Sequence, residues 1–214
     1  MTTLIAGIDE AGRGPVIGPL VVAGVLFEES TIPKLLPLGV KDSKLLTPRR
    51  RDSLETEILK LGVGHRVLYL SPSKIDDYVL NGKRLRKLNW LEAKAMAKIV
   101  EELHPNIAYI DASDIDAERF GLQVQDLVPF PVQIVSRHHA DRDNPVVASA
   151  SILAKVNRDR AVAELRKAYG DFGSGYPSDP RTIRFLHEYV RDHGKFPDCV
   201  RRSWKTLKRI SASL

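Results

Sequence analysis

Two nearly continuous apolar runs stand close together at the head of this chain, Leu4-Ile5-Ala6-Gly7-Ile8 and Pro19–Phe27 (PLVVAGVLF). They read as strands, and the second, apolar at almost every position, reads as a strand buried on both faces. The link between them, residues 10–18, is shorter than the roughly dozen residues that a parallel crossover needs. The two strands are therefore expected to pair antiparallel, and every later element has to fit around that pair.

Thr47-Pro48 opens a helix, with Thr as N-cap and Pro in the first turn, an apolar stripe at Leu54, Ile58 and Leu61, and Gly62 as its stop. Arg66–Leu70 is a third, half-alternating strand, and Ser71-Pro72-Ser73 caps a further short helix. Lys83-Arg84-Leu85-Arg86-Lys87 is a basic knot that reads as a solvated turn. From Asn89 the spacing Leu91, Ala95, Ile99, Leu103 predicts a helix ended by Pro105, followed by a fourth strand at Ile107–Asp111. Asp114–Leu127 reads as helix with Asp114 as cap, and Pro131–Val135 as a fifth strand. Pro145 starts a long helix whose first turns, Val147-Ala148-Ser149-Ala150-Ser151, have small side chains that allow close approach to a neighbour. It either runs to Tyr169 or breaks near Asn157. Pro180–His193, capped by Asp179, and Ser203 onward are the last helices.

This order is an α/β arrangement: a mixed five-stranded sheet flanked by helices, with a helical C-terminal region. Strands four and five, each reached through a helix, are expected to lie parallel to strand one. The division expected is a catalytic domain over residues 1–170 and a helical substrate-binding region over 171–214.

The charge is unevenly distributed. Residues 152–214 carry 14 Lys/Arg against 7 Asp/Glu, and residues 1–151 carry 19 against 20. The basic excess sits wholly in the last third, which fits a polyanion partner or a set of solvated helix faces. No apolar run approaches the roughly 20 residues of a membrane span. The start of the chain lacks the basic n-region of a signal peptide. The single cysteine, Cys199, excludes an internal disulfide, and a reducing cytoplasm is the expected location.

The chemistry concentrates where strands end. Strand one runs into Asp9-Glu10 and then Ala11-Gly12-Arg13-Gly14-Pro15. Strand four ends at Asp111, and Asp141 follows strand five by a few residues. If strands one, four and five are parallel neighbours, their carboxyl ends share one edge, where open α/β sheets place their sites. Carboxylates converging there would repel unless a cation sat among them, and hard oxygen donors select Mg²⁺ or Mn²⁺. Taken singly, Asp111 also reads as a turn residue and Asp141 as a partner of Arg137 or Arg142. Adjacent strand residues face opposite ways, so Asp9 and Glu10 share one site only if the strand already turns at Glu10. The glycine-arginine-glycine turn lets backbone and one cation approach a phosphate. Gly12, Gly14 and Gly18 do not match the dinucleotide fingerprint, no Walker lysine follows them, and His138-His139 lack zinc spacing. Ser149 and Ser151 have no histidine partner for a triad.

The stretches Gly7–Pro15, Asp42-Ser43-Lys44, Tyr109–Ala112, Ala140-Asp141, Val147–Val156 with Arg158-Asp159-Arg160, and Gly173–Asp179 resemble type 2 ribonuclease H (ribonuclease HII), most closely its archaeal branch. The resemblance implies a ribonuclease H-like sheet. It implies an endonuclease that cleaves the RNA strand of RNA–DNA hybrids and single ribonucleotides embedded in duplex DNA, leaving 5′-phosphate and 3′-hydroxyl ends. It assigns Asp9, Glu10, Asp111 and Asp141 to two Mg²⁺ or Mn²⁺ ions, and Gly12, Arg13, Gly14, Lys44 and Tyr176 to the substrate. For Tyr176 the residues alone equally allow a buried ring with a satisfied hydroxyl. Archaeal relatives often end in a tail that binds the replication sliding clamp. Ser211-Ala212-Ser213-Leu214 carries no such motif, which puts clamp tethering in doubt. A monomer is expected.

Overall fold

β1 (Leu4–Ala11) and β2 (Leu20–Glu28) pair antiparallel along their whole lengths, from Leu4 opposite Glu28 to Ala11 opposite Val21, in a computed structural model that describes residues 2–40, 46–82 and 87–212. β3 (Gly64–Leu70), β4 (Ile107–Asp111) and β5 (Gln133–Arg137) complete a sheet of order β3-β2-β1-β4-β5. β4 runs parallel to β1 and β5 parallel to β4, the directions expected from their connections. β2 is buried at every position but its last, as its unbroken apolar sequence requires.

The helix starts follow their caps. The Thr47 hydroxyl accepts from Arg50 N–H at the head of α1 (Pro48–Leu61), and Ser71 accepts from Lys74 N–H at the head of α2 (Pro72–Asn81). α3 (Lys87–Leu103) buries Leu91, Ala95, Ile99 and Leu103, the predicted stripe. α4 (Ala117–Gln125) begins later than expected. Asp116, not Asp114, is its cap, and buried Asp114 accepts instead from Asn89 and Arg119 and from Asp116 N–H. A 3-10 stretch, Glu29–Leu38, lies where no element was expected, because Pro33 and Pro37 within it mask any helical signal.

β5 is followed by a single turn of helix, α5 (Ala140–Asp143), and then by α6 (Pro145–Tyr169), which runs without a break at Asn157. α7 (Pro180–His193) starts at its Asp179 cap, and α8 is Lys205–Ala212. No helix is long and apolar enough to cross a membrane among the described residues.

The chain divides into two compact units. The first comprises Met1–Ala11, Val21–Leu68 and Asn89–Asn157; the second comprises Gly12–Leu20, Tyr69–Leu88 and Arg158–Leu214. The second unit takes in residues 12–20, where Ile17 forms a β-bridge with Val200. The first unit has a core of Ile5, Val25, Phe27, Leu54, Ile58 and the small-residued start of α6. The second is centred on Ile17, Phe172, Leu186, Val200, Leu207 and Ile210. Cys199 belongs to that second core, where burial pushes its thiol up to about 12, so it is held as the neutral thiol near neutral pH.

Candidate active site

Sheet order and one close helix contact build the site of the first unit. β1 ladders with β4 from Ile5 to Ile8 only, so the ends of both strands are released from each other just where Asp9 and Asp111 stand. Gly7 makes the helix contact. A Cβ there would lie 2.1 Å from the Val146 carbonyl oxygen, so only glycine lets the start of α6 lie so close to β1. Ala148, Ser149, Ala150 and Ser151 are all fully buried beside it.

Asp141 arrives by a backbone turn. His139 adopts a left-handed conformation, φ 55°, unusual for a residue with a side chain. The chain folds back into α5, and Ala140 N–H donates to Asp111 Oδ1 at 3.0 Å. That bond ties the end of β4 to the residue before Asp141. His138 and His139 are exposed, and His138 Nε2 lies 3.0 Å from the Ile115 carbonyl oxygen.

Asp9, Asp111 and Asp141 thus converge. Each offers one carboxylate oxygen, and the three oxygens lie within 4.8 Å of one another. Asp9 and Asp141 are buried and Asp111 is half-buried. Glu10 lies outside this group. β1 does not end at Asp9 but continues to Ala11 in its ladder with β2, with Glu10 opposite Val22.

Burial raises the Asp9 carboxyl from 3.8 to about 7. The positive charge of Lys155 opposes the rise, the negative charge of Asp111 adds to it, and hydrogen bonds from Ser151 and from Glu10 N–H oppose it. Lys155 donates to Ser151 Oγ at 2.5 Å, and Glu10 N–H to Asp9 Oδ1 at 2.7 Å. The sequence reading weighs Ser151 only as a triad candidate without a histidine and names Lys155 only within the matching Val147–Val156 stretch. Their i, i+4 spacing puts them on one helix face, and that was the available signal. The donor set suits a hard divalent cation: three carboxylate oxygens, two from buried side chains, within reach of one ion.

The second unit holds the substrate residues named from the resemblance, apart from Lys44, which lies outside the described residues. Gly12 has φ 90°, and a Cβ on it would lie 2.2 Å from Arg158 Nε and 2.8 Å from the Pro19 carbonyl oxygen. Arg158 Nε and Nη2 are buried and make no hydrogen bond among the described residues, and burial lowers the pKa of this guanidinium. The sequence offered Arg158 no role beyond the matching stretch. Gly14 faces Tyr176, with its Cβ position 3.2 Å from a ring carbon. Tyr176 is 42% exposed, so the alternative of a buried ring does not hold. Its turn is fixed by Ser174 N–H donating to Asp179 Oδ2 at 2.6 Å and by Asp179 N–H donating to the Tyr176 carbonyl at 3.1 Å.

Carboxylates at the ends of parallel strands in a ribonuclease H-like sheet define a metal-dependent hydrolase of nucleic acid. The comparisons with known proteins narrow the class. The family described as Ribonuclease HII matches residues 6–207. The Ribonuclease HII of Thermococcus kodakarensis is 51% identical over 209 residues, covering 97% of this chain and 89% of that protein. The crystal structure of the ribonuclease H2 of Pyrococcus horikoshii superposes with a TM-score of 0.91 at 40% identity, covering 99% of this chain and 98% of the other. The ribonuclease HII of Archaeoglobus fulgidus, solved as a complex with PCNA, matches with a TM-score of 0.85 at 43% identity, covering 94% and 95%. The chain belongs to the ribonuclease HII family. It is a metal-dependent endoribonuclease that acts on the RNA strand of RNA–DNA hybrids.

Proposed function

We propose that this enzyme also incises duplex DNA at a single embedded ribonucleotide, and that Asp9, Glu10, Asp111 and Asp141 hold two Mg²⁺ or Mn²⁺ ions for the cut. The observation that carries the reading is the convergence of Asp9, Asp111 and Asp141. Glu10, the adjacent carboxylate of β1, would complete the donor set. When bound, such ions activate an attacking water and stabilise charge on the leaving 3′ oxygen. The products are then 5′-phosphate and 3′-hydroxyl ends.

The residues of the chain supply the rest. Lys155 offsets part of the negative charge around Asp9, which keeps the acids together before substrate arrives. Backbone groups at Gly12 and Gly14 recognise the 2′-hydroxyl, which both donates and accepts, and Arg13 holds the neighbouring phosphate. Tyr176, exposed and set against Gly14, stacks on the following sugar and favours deoxyribose there. Lys44 contributes a further phosphate contact.

One assay tests the reading: a DNA duplex carrying one ribonucleotide, against the same duplex in DNA alone, with Mg²⁺ and with Mn²⁺. Cleavage confined to the ribonucleotide duplex is the expected result. Equal cutting of both would turn the assignment toward a DNA nuclease with clustered carboxylates, and binding without cutting would turn it toward a nucleic-acid-binding module.

A further inference from the structure

Arg201 is a fully buried arginine and the largest fully buried side chain of the described residues. A buried guanidinium is costly unless its donors are used. Here three of them meet carbonyl oxygens of one short segment: Nε donates to Gly18 at 2.9 Å, Nη1 to Arg13 at 3.0 Å and Nη2 to Gly12 at 2.6 Å. Arg201 N–H also donates to the Val16 carbonyl at 2.8 Å. The Trp204 ring lies 4.9 Å from the Arg201 guanidinium carbon, and its Nε1 donates to the Gly14 carbonyl at 3.1 Å. Two residues nearly two hundred positions downstream therefore hold the carbonyls of residues 12, 13, 14, 16 and 18.

The planar trans peptide turns this into a directional statement. The N–H of each residue points opposite to the carbonyl before it. With the Gly12 and Arg13 carbonyls held on Arg201, the N–H groups of Arg13 and Gly14 are aimed to the other side of the loop. Of the other anchored carbonyls, those of Gly14 and Gly18 precede Pro15 and Pro19, which have no N–H, and that of Val16 precedes Ile17, whose N–H donates to the Gly175 carbonyl at 3.2 Å. The segment thus presents two successive N–H donors on one side, the backbone arrangement that receives an oxygen ligand.

We infer that Arg201, with Trp204, is the positioning residue for ribose recognition: it fixes the carbonyls of Gly12, Arg13 and Gly14 inward so that the N–H groups of Arg13 and Gly14 meet the 2′-hydroxyl. This rests on the reading that the loop recognises the ribose. Neither residue touches substrate; each acts through the backbone it holds.

The test uses the full-length enzyme and two variants. Trp204→Phe keeps an aromatic ring and removes one directed hydrogen bond, so kcat at a lone ribonucleotide is expected to fall about tenfold. Arg201→Lys replaces a planar fork by a point charge that cannot serve three carbonyls, and a fall of about a hundredfold is expected. Affinity for the all-DNA duplex, which has no 2′-hydroxyl to recognise, is expected to stay within about twofold of wild type. A merely structural role would lower that affinity and the melting temperature together. Folded variants with wild-type kcat, or a rate loss matched by an equal loss of all-DNA affinity, would overturn the inference. If Arg201→Lys does not fold, Trp204→Phe decides alone. A wild-type enzyme inactive at the lone ribonucleotide would overturn the underlying reading as well, which separates the two failures.

Discussion

Replacing Asp9 by Asn is expected to make the metal-free protein more stable above neutral pH while abolishing its activity. The Asp9 carboxyl titrates at 3.8 when unperturbed and at about 7 in the fold, chiefly because burial penalises its charge and secondarily because Asp111 is close. The fold therefore favours the protonated acid. That contribution is fully present below about pH 4, declines as pH rises, and is gone above about pH 7. A shift of about 3 units at 1.36 kcal/mol each puts the strain of an ionised Asp9 at ~4 kcal/mol in the absence of metal. Asn keeps an oxygen for the Glu10 N–H but turns an amide toward the charge of Lys155, so about half of that, ~2 kcal/mol, is expected to be recovered. For a chain of 214 residues this raises the melting temperature by roughly 4–8 °C. The assay is thermal unfolding in EDTA near pH 8.5 and near pH 4.5. The variant should melt above wild type at the first and converge with it at the second. Adding Mg²⁺ should stabilise wild type and leave the variant nearly unmoved. Cleavage should drop at least about a hundredfold with hybrid affinity retained. A variant that melts below wild type at alkaline pH in EDTA, or an equal gap at both pH values, would refute the reasoning.

Gly12→Ala is expected to lose most activity, since its Cβ would lie 2.2 Å from Arg158 Nε at φ 90°; the strain alone is about 1–2 kcal/mol, measurable as a lower urea midpoint. Tyr176→Ala should fold normally, because the ring is 42% exposed, and should lower kcat at a lone ribonucleotide by about tenfold, a stacking contact's worth; full activity of the folded variant would remove Tyr176 from substrate recognition. Lys205, Lys208 and Arg209 are exposed on α8 while Leu207 and Ile210 are buried, so replacing all three cations by Ala should weaken hybrid and DNA binding alike. The slope of log affinity against log salt should flatten by about 0.9 per lost contact on B-form DNA, and an unchanged slope would leave these charges merely solvated.

The sequence by itself determined the local elements of this protein. Caps at Thr47, Ser71 and Asp179, the stripe from Leu91 to Leu103, and the unbroken apolar run of β2 are signals confined to a few turns or one strand, and the structure follows them. It also placed the acids at strand ends, which made a metal site legible once β1, β4 and β5 were taken as parallel neighbours. Tertiary structure decided what depends on distant partners. The order β3-β2-β1-β4-β5 is set by summed burial, not by any window of residues. The continuation of β1 to Ala11 is set by the ladder with β2. Asp114 lost its place as a cap because Asn89 and Arg119 compete for its carboxylate. Lys155 enters the acid cluster only because Gly7 lets α6 approach β1. Arg201, read in the sequence as one more cation of a basic third, is a buried clamp on residues 12–18. Its role was invisible because a hydrogen bond spanning nearly two hundred residues leaves no local trace, while periodicity and capping act within a turn.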